Sequence, residues 1–298
     1  MKTATVLLLL LLALTMAWQH VRYLRARRDV VQDRQPILHS PRRFHVITFL
    51  DVPEGGDVVE AVGRLRREIE ASGAAQVVYA GQAAAFTLAS SQLGPRSWDA
   101  VVLVQYPSRE RYAAEAKGER LRKALAEFAD TYSHGMQRNP VVNLLLPQAL
   151  LALRFFDVAR GHWNVEPLVP MPPSEQPERR AEVEARVADL LRLGAVNDEA
   201  LVVFNLTLPG TPEQRAADRS YGLKMITRMA GLAHGPMHVG SAVTLEGDAR
   251  FQSVVIVYYP GVSYFAELVQ SRFFQGIIGD KQLGDTQAVP TVPILAQL

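Results

Sequence analysis

The sequence predicts an α+β protein in which two ferredoxin-like β-α-β-β-α-β repeats close into an internal pseudo-dimeric α/β barrel behind an N-terminal transmembrane helix. Three observations carry that reading. Strand signals recur, "VITFLDVP" (46–53) with "VVFNLTLP" (202–209) at an offset of 156 and "VVLVQYPS" (101–108) with "VVIVYYPG" (254–261) at an offset of 153. In both halves the first of these strands is followed by helix-start chemistry. The chain also opens with "TATVLLLLLLALTMAWQHV", 19 residues without an Asp, Glu, Lys or Arg.

At about 1.5 Å per residue, a helix of that length roughly matches a bilayer core of about 30 Å. Trp18 and Tyr23 stand where interfacial aromatics lie. Residues 1–23 therefore read as a membrane anchor. A cleaved signal peptide is the alternative, with Thr15-Met16-Ala17 as its small-residue site. Arg22, Arg25, Arg27, Arg28 and Arg34 crowd the far flank, against Lys2 on the near one, which favours an uncleaved single-pass helix in the inner (cytoplasmic) membrane and a cytoplasmic body. The alternative sends the body outside after cleavage.

The 298 residues are 48% hydrophobic, enough for two cores, and include no cysteine. Disulfides, thiolate metal sites and cysteine nucleophiles are thereby excluded. Residues 1–43 carry a net +6 and the whole chain +2, which leaves −4 for residues 44–298. An acidic body on a basic arm (24–43) is no nucleic-acid reader, because phosphate recognition needs a basic face on the folded part.

The first repeat occupies 44–158. After its opening strand, Asp57 and Glu60 form a capping-box-like start, and Val58, Val62, Leu65 and Ile69 share one helical face. "AAFTLAS" (84–90) reads as the second strand and residues 101–106 as the third. Leu121, Leu125, Phe128 and Tyr132 make the stripe of a second helix. "SHGMQRN" (133–139) reads as a helix end and turn, with Gly135 as C-cap and Asn139 before Pro140, and "VVNLLL" (141–146) as the closing strand. "QALLALRFFDVARG" (148–161) is apolar almost all round: a core helix, an extension of that strand, or an interfacial membrane contact. Residues 159–198 join the repeats. "NVEPLVPMPPSEQP" (164–177) holds five prolines and is a stiff linker, followed by a helix with Val183, Val187 and Leu190 on one face. The second repeat, 199–298, starts its helix with Thr211, Pro212 and Gln214. "SAVTLEG" (241–247) is its second strand and "TVPIL" (291–295) its last. Each four-stranded sheet has helices on one face only, and the second copy covers the other face.

The second repeat resembles small bacterial domains of unknown function in the dimeric α/β-barrel superfamily, which also holds antibiotic-biosynthesis monooxygenases and EthD-like proteins. The resemblance lies in "TLEGD" (244–248), "VVIVYYPG" and "ELVQSRFFQGIIGDK" (267–281). The family pattern of leucine-glutamate-glycine before the third strand, glutamate-phenylalanine-proline at its end and a Ser-Pro-Glu-Tyr-Gln-like helix is met by Glu246, Gly247, Pro260, Ser271 and Gln275, with Phe274 for the tyrosine. The sequence departs from it at Tyr258, where the strand-end glutamate belongs, and at Lys281, where an arginine belongs. The first repeat is further off: Gln105 replaces the glutamate, Ala89 and Ser90 align with Glu246 and Gly247, and Gly118, Leu121 and Arg122 stand for Ser271, Phe274 and Gln275. The resemblance implies a fold and little chemistry.

No phosphate-binding glycine loop, HExxH or G-x-S-x-G is present. His234 and His238 have i,i+4 spacing, but Gly235 and Pro236 break the helix that would align them, so no metal site is expected, nor any cofactor. Asn205-Leu206-Thr207 spells a glycosylation sequon inside a strand. Strand alternation puts Val46/Val202, Thr48/Phe204, Leu50/Leu206 and Val52/Leu208 on the helix side. Ile47/Val203, Phe49/Asn205 and Asp51/Thr207 then face the barrel interior. The expected ligand site is single and lies in the second repeat, bounded by Asn205, His238, Tyr258 and Glu246. No residue set identifies a catalytic group; Glu246 and His238 are the only titratable candidates there. The functional expectation is a membrane-tethered barrel that binds a small apolar or aromatic ligand or a membrane-protein partner. A cofactor-light monooxygenase- or isomerase-like enzyme and a structural accessory subunit of a membrane complex are the alternatives.

Overall fold

The computed structural model describes residues 2–25, 43–175, 177–232, 235–281 and 284–298. Its first half runs α1 (Lys2–Arg25), β1 (Phe44–Asp51), α2 (Val58–Glu70), β2 (Gln76–Ala83), β3 (Ala100–Tyr106), α3 (Arg109–Ala116), α4 (Glu119–Leu125), β4 (Asp130–Arg138) and α5 (Pro140–Ala159). After the linker come α6 (Arg180–Gly194), β5 (Leu201–Leu208), α7 (Pro212–Gly231), β6 (Gly235–Thr244), β7 (Ser253–Tyr259), α8 (Val262–Gln270), α9 (Arg272–Ile277) and β8 (Asp285–Pro293).

The strands close into one barrel, β1-β3-β2-β8-β5-β7-β6-β4, with β4 returning to β1. Read within each half, this is the same order twice: fourth, first, third and second strand. The halves do not stack as separate sheets. They fuse edge to edge, β2 to β8 and β4 to β6, in antiparallel register. Closure removes every free strand edge from the ring.

Alternation along the strands divides the side chains. Ile47, Phe49, Leu103, Met136, Phe204, Ile256 and Val289 fill the interior, while Val46, Leu50 and Val102 pack outward on Val62 and Leu65 of α2. In the second half, Leu201 and Val203 pack outward among Met225, Met229 and Phe265. The caps form as the sequence requires: Asp57 Oδ1 accepts from Glu60 N at 2.7 Å, and Thr211 and Gln214 complete a reciprocal capping box. Val183, Val187 and Leu190 of α6 join the outer cluster.

Four sequence expectations in the first half are corrected. The second strand is 76–83, not 84–90; the latter only skirts β8, with Ala84 N donating to Pro290 O and Leu88 bridging Ala288. The second helix ends at Leu125, so Phe128 and Tyr132 lie beyond it. Residues 133–139 are no helix end: Ser133 to Arg138 belong to β4, the true fourth strand. Gly135 is there for space, since a Cβ would fall 2.4 Å from Phe44 Cζ. Finally, 141–146 is helical. Asn139 caps α5 by accepting from Val141 N and Val142 N, and Pro140 takes the first helical position, where its missing N–H costs nothing.

The transmembrane helix is not supported in the form expected. Side chains of α1 are described without a break only from Thr3 to Trp18, and among the described residues no helix is long and apolar enough to cross a membrane. Arg27, Arg28, Arg34 and His234 lie outside the described residues.

Candidate functional site at one end of the barrel

The interior is apolar except near its ends, and one end collects imidazoles. His45, first interior residue of β1, pairs across the ladder with Gln105 of β3. Arg43, just ahead of β1, donates from Nη1 to Gln105 Oε1 at 2.7 Å, and its own carbonyl accepts from Gln137 Nε2 at 3.3 Å. That bond fixes which way the Gln105 amide points. Its Nε2 then lies 3.2 Å from His45 Nε2, within hydrogen-bond reach. Across the barrel His238 of β6 brings its ring centroid to 6.0 Å from that of His45. His45 and His238 are 0% and 3% exposed. Tyr258 of β7 stands at the same end, paired with Val202 and Gly235 and buried inside.

A third interior imidazole sits deeper. His134 of β4 pairs with Ile47, its Nδ1 is 3.0 Å from the Tyr132 hydroxyl, and its ring meets Phe251 edge-on at 5.5 Å. Burial pulls its pKa down to about 4, and burial with the Glu246 carboxylate pushes that of Tyr132 up to about 12. The buried Nε2 of His134 and Nε1 of Trp98 have no hydrogen-bond partner among the described residues.

Of the four residues the sequence nominated, the barrel brings together two, His238 and Tyr258. Asn205 does not line the interior. It lies on the outer face with Val203, its Nδ2 donating to the carbonyls of Val203 (3.3 Å) and Val255 (3.1 Å). The 156 offset pairs the wrong faces. By register, His45 and Ile47 opposite Gln105 and Leu103 correspond to Val202 and Phe204 opposite Tyr258 and Ile256. A one-residue slip turns every side chain to the other face. Glu246 reaches into the first half instead, where its Oε2 accepts from Ser133 N at 3.1 Å and extends the β4–β6 ladder.

The family-motif positions serve the frame. Gly247 makes the β6–β7 turn at φ +60°, and Pro260 follows β7. Ser271, fully buried, caps α9: its Oγ accepts from Phe274 N (3.1 Å) and donates to Leu268 O (2.7 Å). Phe274 packs in the outer cluster, and Gln275 Nε2 donates to Val269 O at 2.6 Å. Among the described residues no cluster of His, Asp and Glu could hold a metal ion. A cleft of about 360 Å³ opens elsewhere, on the helix side of the first half, between Ile69, Glu115 and Leu121.

Sequence reasoning missed His45 and His134. Both were legible: "FHVITF" puts His45 in phase with Ile47 and Phe49, and "DTYSHGMQR" puts His134 in phase with Tyr132 and Met136.

No protein-family model matches the chain, and no curated protein matches it in sequence. Solved structures resemble it distantly. An anthrone oxidase-like protein is 14% identical, with 86% of this chain and 92% of that one covered, at a TM-score of 0.39. A variant of the chlorite dismutase from Candidatus Nitrospira defluvii is 11% identical over 87% and 94%, at 0.40. A protein of unknown function from Rhodopseudomonas palustris is 19% identical and covers 44% of this chain with 97% of its own, at 0.31. Likenesses this distant carry no argument about activity.

Proposed function

We propose that this chain is a membrane-tethered α/β barrel that takes up a small apolar or aromatic molecule bearing a hydrogen-bonding group, at the end lined by His45, Gln105, His238 and Tyr258. One observation carries the reading: the relay from Arg43 through Gln105 to His45, ending in two buried imidazoles 6.0 Å apart, in a barrel whose interior is mainly apolar. A few convergent polar groups set among apolar side chains are the usual recognition elements of a small-molecule site. Native mass spectrometry of the detergent-extracted protein tests it. The wild-type chain is expected to retain a small molecule that a His45→Leu, His238→Leu double variant loses while keeping its far-ultraviolet spectrum. Bare protein in both preparations would refute the reading.

We read the halves as copies of one ancestral unit, a kinship with the dimeric α/β-barrel group that rests on the repeated strand order. The tether is α1. Val6 to Leu12 turn toward every side of the helix and are all 54–67% exposed, a surface that water does not favour. The arginines after α1 hold the body in the cytoplasm. A C-terminal alkaline phosphatase fusion is expected to be inactive; activity there, or a mature chain beginning near Trp18, would reverse the topology.

A further inference from the structure

α5 turns an unbroken apolar face to the outside. Val141, Leu145, Ala149, Ala152 and Phe156 follow at helical spacing and all are exposed, Phe156 at 58% with Phe155 beside it at 67%. The opposite side is well held. Asn143 Nδ2 donates to Val239 O (2.8 Å) and its Oδ1 accepts from Val239 N (3.2 Å), while Leu150 packs on Ala230 of α7. An exposed apolar helix face belongs against a partner or in lipid, and this one has no core over it.

α1 identifies the occupant. It lies against α5, where Gln148 Nε2 donates to the Met16 carbonyl at 3.0 Å. Seven consecutive residues of α1, Val6 to Leu12, are exposed. At about 100° per residue they point in every direction. A protein partner laid on one side would leave the others in water, whereas lipid surrounds all of them.

We propose that the outward face of α5 lies in the interface of the bilayer that receives α1, as a second membrane contact that lays the barrel on the lipid surface. The proposal rests on the membrane reading of α1. It adds a direction for ligand entry. Asn139, the N-cap of α5, and Asn143, in its first turn, bond Val239, the residue after His238. The imidazole end of the barrel therefore lies behind the first turns of the helix that meets the membrane, and an apolar ligand has a short path to it from the lipid.

Tryptophan quenching in the full chain, reconstituted into phosphatidylcholine vesicles, tests this. One reporter chain carries Phe156→Trp with Trp18→Phe and Trp163→Phe; a second keeps Trp18 and carries Trp163→Phe. Trp98, buried in the barrel at 3% exposure, gives both a shielded background. Brominated phosphatidylcholine is expected to remove most of the emission from position 156, and aqueous iodide little of it. Quenching there by iodide but not by bromolipid, with Trp18 still quenched by bromolipid, would overturn the proposal and leave the tether standing. Trp18 and position 156 both insensitive to bromolipid would remove the tether as well. Position 156 shielded from both quenchers in a chain that cross-links as a dimer would give the face to a second copy and defeat the lipid assignment.

Discussion

Replacing Phe204 by alanine is expected to lower the free energy of unfolding by about 3–5 kcal/mol, the usual loss for a fully buried phenyl ring whose cavity does not collapse. Phe204 is 0% exposed at the middle of β5, with its ring 5.3 Å from that of Tyr79 across the barrel. Strands on both sides hold its backbone, paired with Ile256 and Val289, so the wall cannot move in to fill the space. Asn205→Val is the matched control. It sits one residue on, on the outer face, where its amide only decorates two ladder carbonyls, and should change stability by less than about 1 kcal/mol. Urea midpoints of the two variants decide the faces of β5. A larger loss at Asn205 than at Phe204 would mean that the interior has been assigned to the wrong side.

Acidification should weaken the fold through His134. Its folded pKa, near 4, lies below the ordinary imidazole value of about 6.5. Between these values the unfolded chain binds a proton that the folded chain refuses. The stability His134 confers is complete above about pH 6.5 and falls by up to about 1.4 kcal/mol per pH unit below it, on the order of 3 kcal/mol by about pH 4. Asp198 and Asp285 are hydrogen-bonded carboxylates held below their usual range, and they also lose their contribution as they protonate in acid. The diagnostic quantity is therefore the difference between wild type and His134→Leu across that window. The wild type should fall more steeply, and parallel curves would show that the imidazole is protonated or wet inside the barrel.

What the sequence disclosed depended on whether a segment's chemistry matched its place. β3 and β7 each hold a long apolar run, α2 and α7 open with capping residues, and all were readable. β4 was not, because its letters are those of a loop. His134 and Gly135 occupy it for reasons that exist only after closure: one points into the barrel, the other yields room to Phe44. Conversely "VVNLLL" has the composition of a strand, and the Asn-Pro pair before it, which starts α5, was read as a turn. β2 was displaced because "AAFTLAS" spells like "SAVTLEG", a likeness of letters and not of register. The candidate site was half legible. His238 and Tyr258 fell on the right face because β7 was aligned to β3 by a true match, and Asn205 was lost with the one-residue error in β5.

The two joins that close the ring are unequal. β4 and β6 are in register at five positions, His134 to Arg138, whereas the regular ladder of β2 and β8 has three, Gly81↔Pro293, Gln82↔Val292 and Ala83↔Thr291, supplemented by single bonds at Ala80 and Ala84 and by the Leu88–Ala288 bridge, and Pro293 has no N–H to give. Thermal fluctuation will part the shorter join first. The ring then swings open on the longer one like a clasp, leaving β2 and β8 as bare edges. In a concentrated solution of opened chains, the β2 of one molecule meets the β8 of another as readily as its own, and strand exchange builds a linked pair out of a protein that, closed, needs no second chain.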